Sequence, residues 1–308
     1  MKYASLYRDQ QEIVKSSSKG RRMLKQIFGK KPVSFPKYVN TINHLSNDNS
    51  SGGRNHRKLL CEELQWRKDG SPVIFIETQE LAIDLYEAKF NFEEDFNVAP
   101  PFKSFSMTFP QDTLVNGINL NSALVTIMTR KDFMGLYGTT VITLEDILSY
   151  EYDENELGIC VNYESVNGVV DTNFTQISSL TKTLKRNSKN PLPNNGTNIL
   201  EALTKIALAL CVYHSATDGE KLVKGYPMSS ISIPKGKTRG SYTALTIRSF
   251  RQRNSTSSGR KVTHRIPHFR NLRAEKYYQG EYKDMKPGTR WTFVKEVDVN
   301  DSMNTLLN

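Results

Sequence analysis

The segment Asn198 to His214 constrains this chain more than any other. Ile199, Leu200, Ala202, Leu203, Ile206 to Leu210, Cys211 and Val212 cover every side of a helix rather than one stripe. A helix apolar all round must be buried, so the fold needs a core thick enough to surround it. Thr197 is placed to cap it, and Glu201 and Lys205 stand four apart at its start, where they can pair. The segment reads as too short and too charged to span a bilayer, so it is taken as the central core helix. His214 at its end is placed to cap the last carbonyls.

What surrounds that helix reads largely as strands. Pro72–Glu77, Ser104–Phe109, Ala123–Thr129, Thr139–Leu144 and Leu157–Tyr163 are short apolar or alternating runs. Asn167-Gly168 signals a hairpin into Val169–Phe174. Thr78 is a cap for a helix through Leu81, Ile83, Leu85 and Tyr86. A helix is also expected from His56 to Lys68, with Leu59, Leu60, Glu63 and Leu64 on its buried face. The stretch Ser46 to Gly53 has linker composition, and Lys182 to Asn195 reads as a loop. Upstream, Leu6, Ile13, Val14, Met23, Leu24, Ile27 and Phe28 recur near helical spacing, and Gly29 is a stop. Downstream, Tyr242–Phe250, Lys276–Tyr282 and Trp291–Val299 read as strands. The expectation is an α+β fold: a basic helical arm over 1–55, an acidic α+β core with a mixed or antiparallel sheet over 56–234, and a basic β-rich lobe over 235–308.

Charge is distributed unevenly. Residues 1–60 hold 13 Lys/Arg against 3 Asp/Glu, residues 61–234 hold 13 against 23, and residues 235–295 hold 16 against 3. Two basic ends therefore flank an acidic middle. Either the ends meet a polyanion or they dock onto the middle. No apolar stretch of secretory type follows Met1, and Cys61, Cys160 and Cys211 are odd in number and far apart. A cytoplasmic host location with three buried thiols is expected, with no disulfide framework, metal or cofactor.

Enzyme signatures are sparse. Phosphate-cradling glycine loops, nucleophile elbows and paired zinc histidines are missing from the sequence. Glu62-Glu63 and Glu93-Glu94-Asp95 are adjacent carboxylates, read as solvated surface. The basic lobe carries more chemistry. It interleaves cations with aromatics, a composition suited to phosphate contact and base stacking on single-stranded RNA. The candidate nucleic-acid contacts are Arg251, Arg253, Arg260, Lys261, His264, Arg265, His268, Arg270, Arg273, Lys276, Tyr277, Tyr278 and Arg290. Arg253 to Lys261 reads as a mobile basic loop that orders on a phosphate backbone. His268 between Arg265 and Arg270 is also the one candidate for general acid/base chemistry at a ribose hydroxyl, as in a metal-free ribonuclease.

Pro267-His268-Phe269-Arg270, Tyr278-Gln279-Gly280, Arg290-Trp291 and Val297-Asp298-Val299-Asn300 occur in that order. Together they resemble the C-terminal signature of a type V-A anti-CRISPR family. That family lowers expression of the effector nuclease by acting on its messenger during translation. Leu210-Cys211-Val212, Lys224-Gly225-Tyr226-Pro227 and Ser34-Phe35-Pro36 are weaker echoes upstream. The resemblance implies a phage or other mobile-element protein that suppresses a host defence gene. Its implied partners are RNA, a translating complex or a nascent peptide of the defence protein, and no membrane. Ile266 stands where the signature has Arg. Asn271, Leu272, Arg273 and Ala274 stand where it has Arg, Gly, His and Trp. Arg273 in place of the second histidine favours binding over cleavage. A third reading, a DNA-binding replication accessory of a phage or plasmid, is compatible with the basic ends but has no helix-turn-helix signature.

Overall fold

A computed structural model describes residues 3, 6–45, 51–88, 100–138, 154–164, 170–177, 197–227, 242–249, 262–263, 268–272, 274–285, 287, 290–294 and 299–300. The helices are α1 (Gln10–Ser16), α2 (Ser18–Phe28), α3 (Phe35–Leu45), α4 (Ser51–Lys68), α5 (Gln79–Glu87), α6 (Arg130–Tyr137) and α7 (Thr197–Ala216). The strands are β1 (Pro72–Ile76), β2 (Ser104–Thr108), β3 (Leu114–Val115), β4 (Ile118–Asn119), β5 (Ala123–Thr129), β6 (Leu157–Glu164), β7 (Val170–Gln176), β8 (Leu222–Lys224), β9 (Thr243–Ile247), β10 (Val262–Thr263), β11 (His268–Leu272), β12 (Arg290–Val294) and β13 (Val299–Asn300). The fold is α+β. A mixed sheet of order β7-β6-β5-β2-β1-β9-β8 forms its centre. β1 pairs in parallel with both β2 and β9, and the remaining neighbours are antiparallel.

Strand alternation divides the sheet into two unlike faces. Ile74, Ile76, Phe105, Met107, Val125, Ile127, Ile159 and Val161 form one core with α5 and α7. Val73, Phe75 and Leu124 face the other way, against Leu59 and Trp66 of α4 and against Tyr3, Leu6 and Tyr7. Toward the β5–β6 end this second face turns polar. Ser104, Ser106, Thr126 and Asn162 are fully buried there, beside Cys160 and Met128. The sequence of β2, Ser-Phe-Ser-Met-Thr, sets this up: its apolar residues take one face and its hydroxyls the other.

Helix α7 is the buried helix expected. Leu203 and Ile206 to Leu210 are fully enclosed. It corrects one expectation: Ile199–Ala216 is long and apolar enough to cross a membrane by length and composition, and it is 67% buried within the fold. The expected Glu201–Lys205 pair does not form. Lys205 Nζ lies 4.5 Å from the centre of the Tyr86 ring instead, and burial lowers its pKa. His214 does not cap with its ring. Its Nδ1 has no hydrogen-bond partner, while its carbonyl receives the Gly219 amide at 2.9 Å.

Other boundaries move. α4 begins at Ser51, so Ser51-Gly52-Gly53 is helix rather than linker. Gly53 is buried, and tertiary packing there outweighs the poor helix propensity of glycine. Lys276–Tyr282 is not a strand but two short 3-10 turns, Glu275–Tyr277 and Gly280–Tyr282. Gly280 at φ 63° breaks the extended conformation that a strand would need. Strand β9, from the span read as the basic lobe, lies inside the main sheet beside β1. Residues 46–50, Glu93-Glu94-Asp95, Thr139–Leu144, Asn167-Gly168 and Lys182–Asn195 lie outside the described residues.

The N-terminal segment is built into the fold. The Tyr3 hydroxyl donates to the Ile76 carbonyl at 2.9 Å, and its ring meets Phe75 edge-on. α1 and α2 meet at a tight corner. Ser17 caps α2 by accepting the Gly20 amide at 2.9 Å. A Cβ at Gly20 would sit 2.0 Å from the Val14 carbonyl oxygen, so only glycine fits.

Candidate functional site

Arg290 is less available than the density of C-terminal cations suggests. β11 and β12 pair antiparallel, with Arg270 opposite Thr292 and Leu272 opposite Arg290. Tyr278 is buried, at 8% exposure, so its ring is not offered to a base. Its hydroxyl donates to the Leu272 carbonyl and accepts the Arg290 amide at 3.1 Å. The Arg290 guanidinium donates to the Tyr277 carbonyl at 2.5 Å and stacks 3.3 Å from the centre of the Tyr282 ring. Tyr282 in turn donates to Asp218 at 3.1 Å. These groups clasp the hairpin to the turn after α7. Lys276 Nζ stands 5.1 Å from the half-buried Tyr277 ring. Of the thirteen expected contacts, Arg270 and Lys276 are exposed. His268 lies in β11, its backbone opposite Val294. Arg251, Arg253, Arg260, Lys261, His264, Arg265 and Arg273 lie outside the described residues.

A second basic site was not among the expected residues. The corner of α1 and α2, with the turn after α2, encloses a pocket of about 410 Å³. Among the described residues Lys15, Arg21, Lys25, Lys30 and Lys31 line it, and no carboxylate does. All five are exposed. Leu24, Phe28, Pro32 and Val33 supply an apolar wall. Two sets of bonds hold the shape. The Arg21 guanidinium donates to the carbonyls of Lys15 and Ser16, at 2.8 and 3.1 Å. The Gln11 side-chain amide donates to the Val33 carbonyl at 3.1 Å, tying α1 to the loop. Gly29 ends α2 at φ 77°, as a helix stop of this kind requires, and turns Lys30 and Lys31 toward the rim. The charge of residues 1–60 was the signal in the sequence. Which of those cations converge depended on the unforeseen corner at Gly20.

Two buried carboxylates overturn the reading of Glu62-Glu63 as solvated surface and bear out the buried face expected at Glu63. Glu62 and Glu63 are fully enclosed rather than solvated. Adjacent residues on a helix point about 100° apart, and here each meets a different polar partner set. Glu62 faces the polar patch of the sheet. It accepts from the Tyr137 hydroxyl at 2.7 Å and from Asn162 at 2.8 Å, and Thr172 donates to Asn162 at 2.7 Å. Glu63 faces the N-terminal segment. It accepts from the Tyr7 hydroxyl at 2.8 Å and from the Gln10 amide at 3.0 and 3.1 Å. Asp9, also buried, pairs with Arg67 and caps α1 through the Glu12 amide at 2.9 Å.

Burial raises the pKa of both glutamates. The donors around Glu62 oppose the rise, while Asp9 reinforces it at Glu63 against Tyr7, Gln10 and Arg67. Burial likewise pushes Tyr7, Tyr137 and Cys160 well above their ordinary values, and Tyr38 up to about 12. A thiol held protonated in a closed site is a poor nucleophile, so Cys160 is packing and not chemistry. Cys61 and Cys211 are buried as well, the three thiols being free as expected. Among the described residues no group of three potential ligands could hold a metal ion. The network therefore holds structure together: Glu63 fixes α1, and α1 carries Gln11 and Lys15 into the pocket.

No family model, no curated protein and no solved structure matches the chain.

Proposed function

We propose that this chain is an anti-defence protein of a phage or other mobile element that binds RNA, alone or in a translating complex, and so lowers expression of a host defence nuclease. One observation carries the binding part: among the described residues, five cations and no carboxylate line the α1–α2 pocket. Cations gathered without counter-charges attract phosphate, and binding releases the condensed counterions of the nucleic acid. The exposed Arg270 and Lys276 extend the contact on the C-terminal hairpin. The apolar wall around Phe28 suits unpaired bases better than a closed duplex. The resemblance to the type V-A anti-CRISPR family supports the anti-defence part.

Binding of the purified chain to single-stranded RNA, duplex RNA and duplex DNA at two salt concentrations tests this. Single-stranded RNA is expected to bind tightest, weakening as salt rises. Reversing Lys25 and Lys31 together to Glu is expected to lower affinity by at least about tenfold, since each charge-assisted contact contributes roughly 1.5–3 kcal/mol. RNA recovered intact from the same tubes distinguishes binder from ribonuclease. Preference for duplex DNA, or no binding at all, would overturn the proposal. Expression of a defence-nuclease reporter in a host carrying the chain tests the anti-defence part. Unchanged reporter messenger and protein would remove it.

A further inference from the structure

The α1–α2 site is a concave hollow open to solvent, and its size and lining narrow its ligand. Its volume of about 410 Å³ falls within the roughly 300–1,000 Å³ of small-ligand sites. The Gln11 bond to the Val33 carbonyl and the tight corner at Gly20 fix the relative placement of α1, α2 and the loop that line it.

Two chemistries meet inside. Its lining holds Lys15, Arg21, Lys25, Lys30 and Lys31. It also holds the half-buried Leu24, Phe28 and Val33, with Pro32. A lone inorganic anion has no use for the apolar wall. An apolar ligand has no use for five cations. A nucleotide has a flat face to lay on Phe28 and a phosphate group to place among the cations. Charge narrows it again. An internal phosphodiester carries a single negative charge, a terminal phosphomonoester carries about −1.5 to −2, and a polyphosphate carries more. Five lining cations fit the terminal or polyphosphate group best. Arg21 is already held by the Lys15 and Ser16 carbonyls, so little side-chain entropy is lost when it meets a ligand.

We infer that this pocket takes a single nucleotide bearing a terminal phosphate or polyphosphate, presented either free or as the 5′ end of an RNA strand. The inference rests on the RNA-binding reading for the second source and stands without it for the first.

The test compares four probes with the full chain. ATP and inorganic pyrophosphate are titrated directly. One short RNA is prepared with a 5′-triphosphate and again with a 5′-hydroxyl. The triphosphate RNA is expected to bind at least about tenfold tighter than the hydroxyl form, and ATP tighter than pyrophosphate. Lys25→Ala and Lys31→Ala are expected to remove the end preference without lowering the melting temperature, because both side chains are exposed. Gly20→Ala leaves the charge unchanged and is expected to abolish nucleotide binding by opening the corner. ATP binding without RNA binding would uphold the pocket and overturn the RNA reading. Equal affinity for both RNA ends, with no displacement by ATP, would overturn the pocket and leave the RNA reading standing. Pyrophosphate binding as well as ATP would show that the apolar wall contributes nothing, and would also overturn the nucleotide assignment.

Discussion

Arg290 near the C-terminal end and the lysines around the α1–α2 corner use their charge in opposite ways. At the C-terminal end Arg290 is bound inward, donating to a carbonyl and stacked on Tyr282. At the N-terminal end Lys15, Lys25, Lys30 and Lys31 stand exposed around a shared hollow. Both ends look alike as counts of Lys and Arg. What separates them is the local supply of acceptors. The 3-10 turns after β11 present the Tyr277 carbonyl and the Tyr282 ring, and Arg290 uses both. The α1–α2 corner offers Arg21 two carbonyls and offers the lysines none among the described contacts. Charge density thus marks where a polyanion can approach, and the neighbouring acceptors decide which cations remain to meet it.

This contrast can be broken most severely at Glu63. Glu63→Ala removes the carboxylate that the Tyr7 hydroxyl and the Gln10 amide both donate to. Each buried donor deprived of its acceptor costs about 1–3 kcal/mol, so a loss of roughly 3 kcal/mol is expected in denaturant unfolding. RNA affinity is expected to fall with it, because α1 loses its anchor, while hydrogen exchange in β11 and β12 stays as in wild type. Equal loosening at both ends would mean the ends are not independent.

A smaller effect is expected at the other end. Arg290→Ala removes a hydrogen bond and a ring contact, together about 1–2 kcal/mol. Unfolding is expected at lower denaturant, and RNA affinity is expected to change by less than about twofold. A large loss of binding would return the C-terminal clasp to the site.

The gentlest lever is pH. Glu62 and Glu63 have folded-state pKa values above the ordinary carboxylate value of about 4.3. Their contribution to stability is therefore complete below that value and is lost as pH rises through the raised ones. The partners facing Glu63 are Tyr7, the Gln10 amide, Asp9 and Arg67, and only Arg67 opposes the rise by charge. Thermal unfolding in steps from acid to mildly alkaline pH is expected to show falling stability from this source, with amide exchange in α1 rising before that in β11. Glu62→Gln with Glu63→Gln is expected to flatten the profile. An unchanged profile in that double variant would place the pH dependence elsewhere.

The sheet, the cap at Thr78 and the enclosed helix α7 were all readable because each rests on local pattern. Alternation in Ser104–Thr108 and Ala123–Thr129 reports a two-faced sheet directly. Glu62 and Glu63 show where such reading stops. Glu63 falls in step with Leu59 and Leu60, which places it on the covered face. Glu62 is buried only because Asn162, Tyr137 and Thr126 come from strands and a helix far along the chain. Likewise the charge of residues 1–60 announced a cationic surface, but the pocket depends on a helix corner that one glycine permits. The absence of space for a side chain at Gly20 leaves no trace in its neighbours' spacing.

The parallel seam between β1 and β9 has a consequence for how the chain is made. Gly70 and Thr243, joined across it, lie 173 residues apart. While the ribosome is still elongating, β1 already has β2 on one side, and its other edge stays bare until Ile247 has emerged. A bare, apolar strand edge is the part of a nascent protein most prone to pair with the wrong partner. Closure of so distant a contact is also slow. Until then that edge is open to such mispairing, and the rate at which intact protein accumulates is expected to be set at this seam rather than at the helical N-terminus.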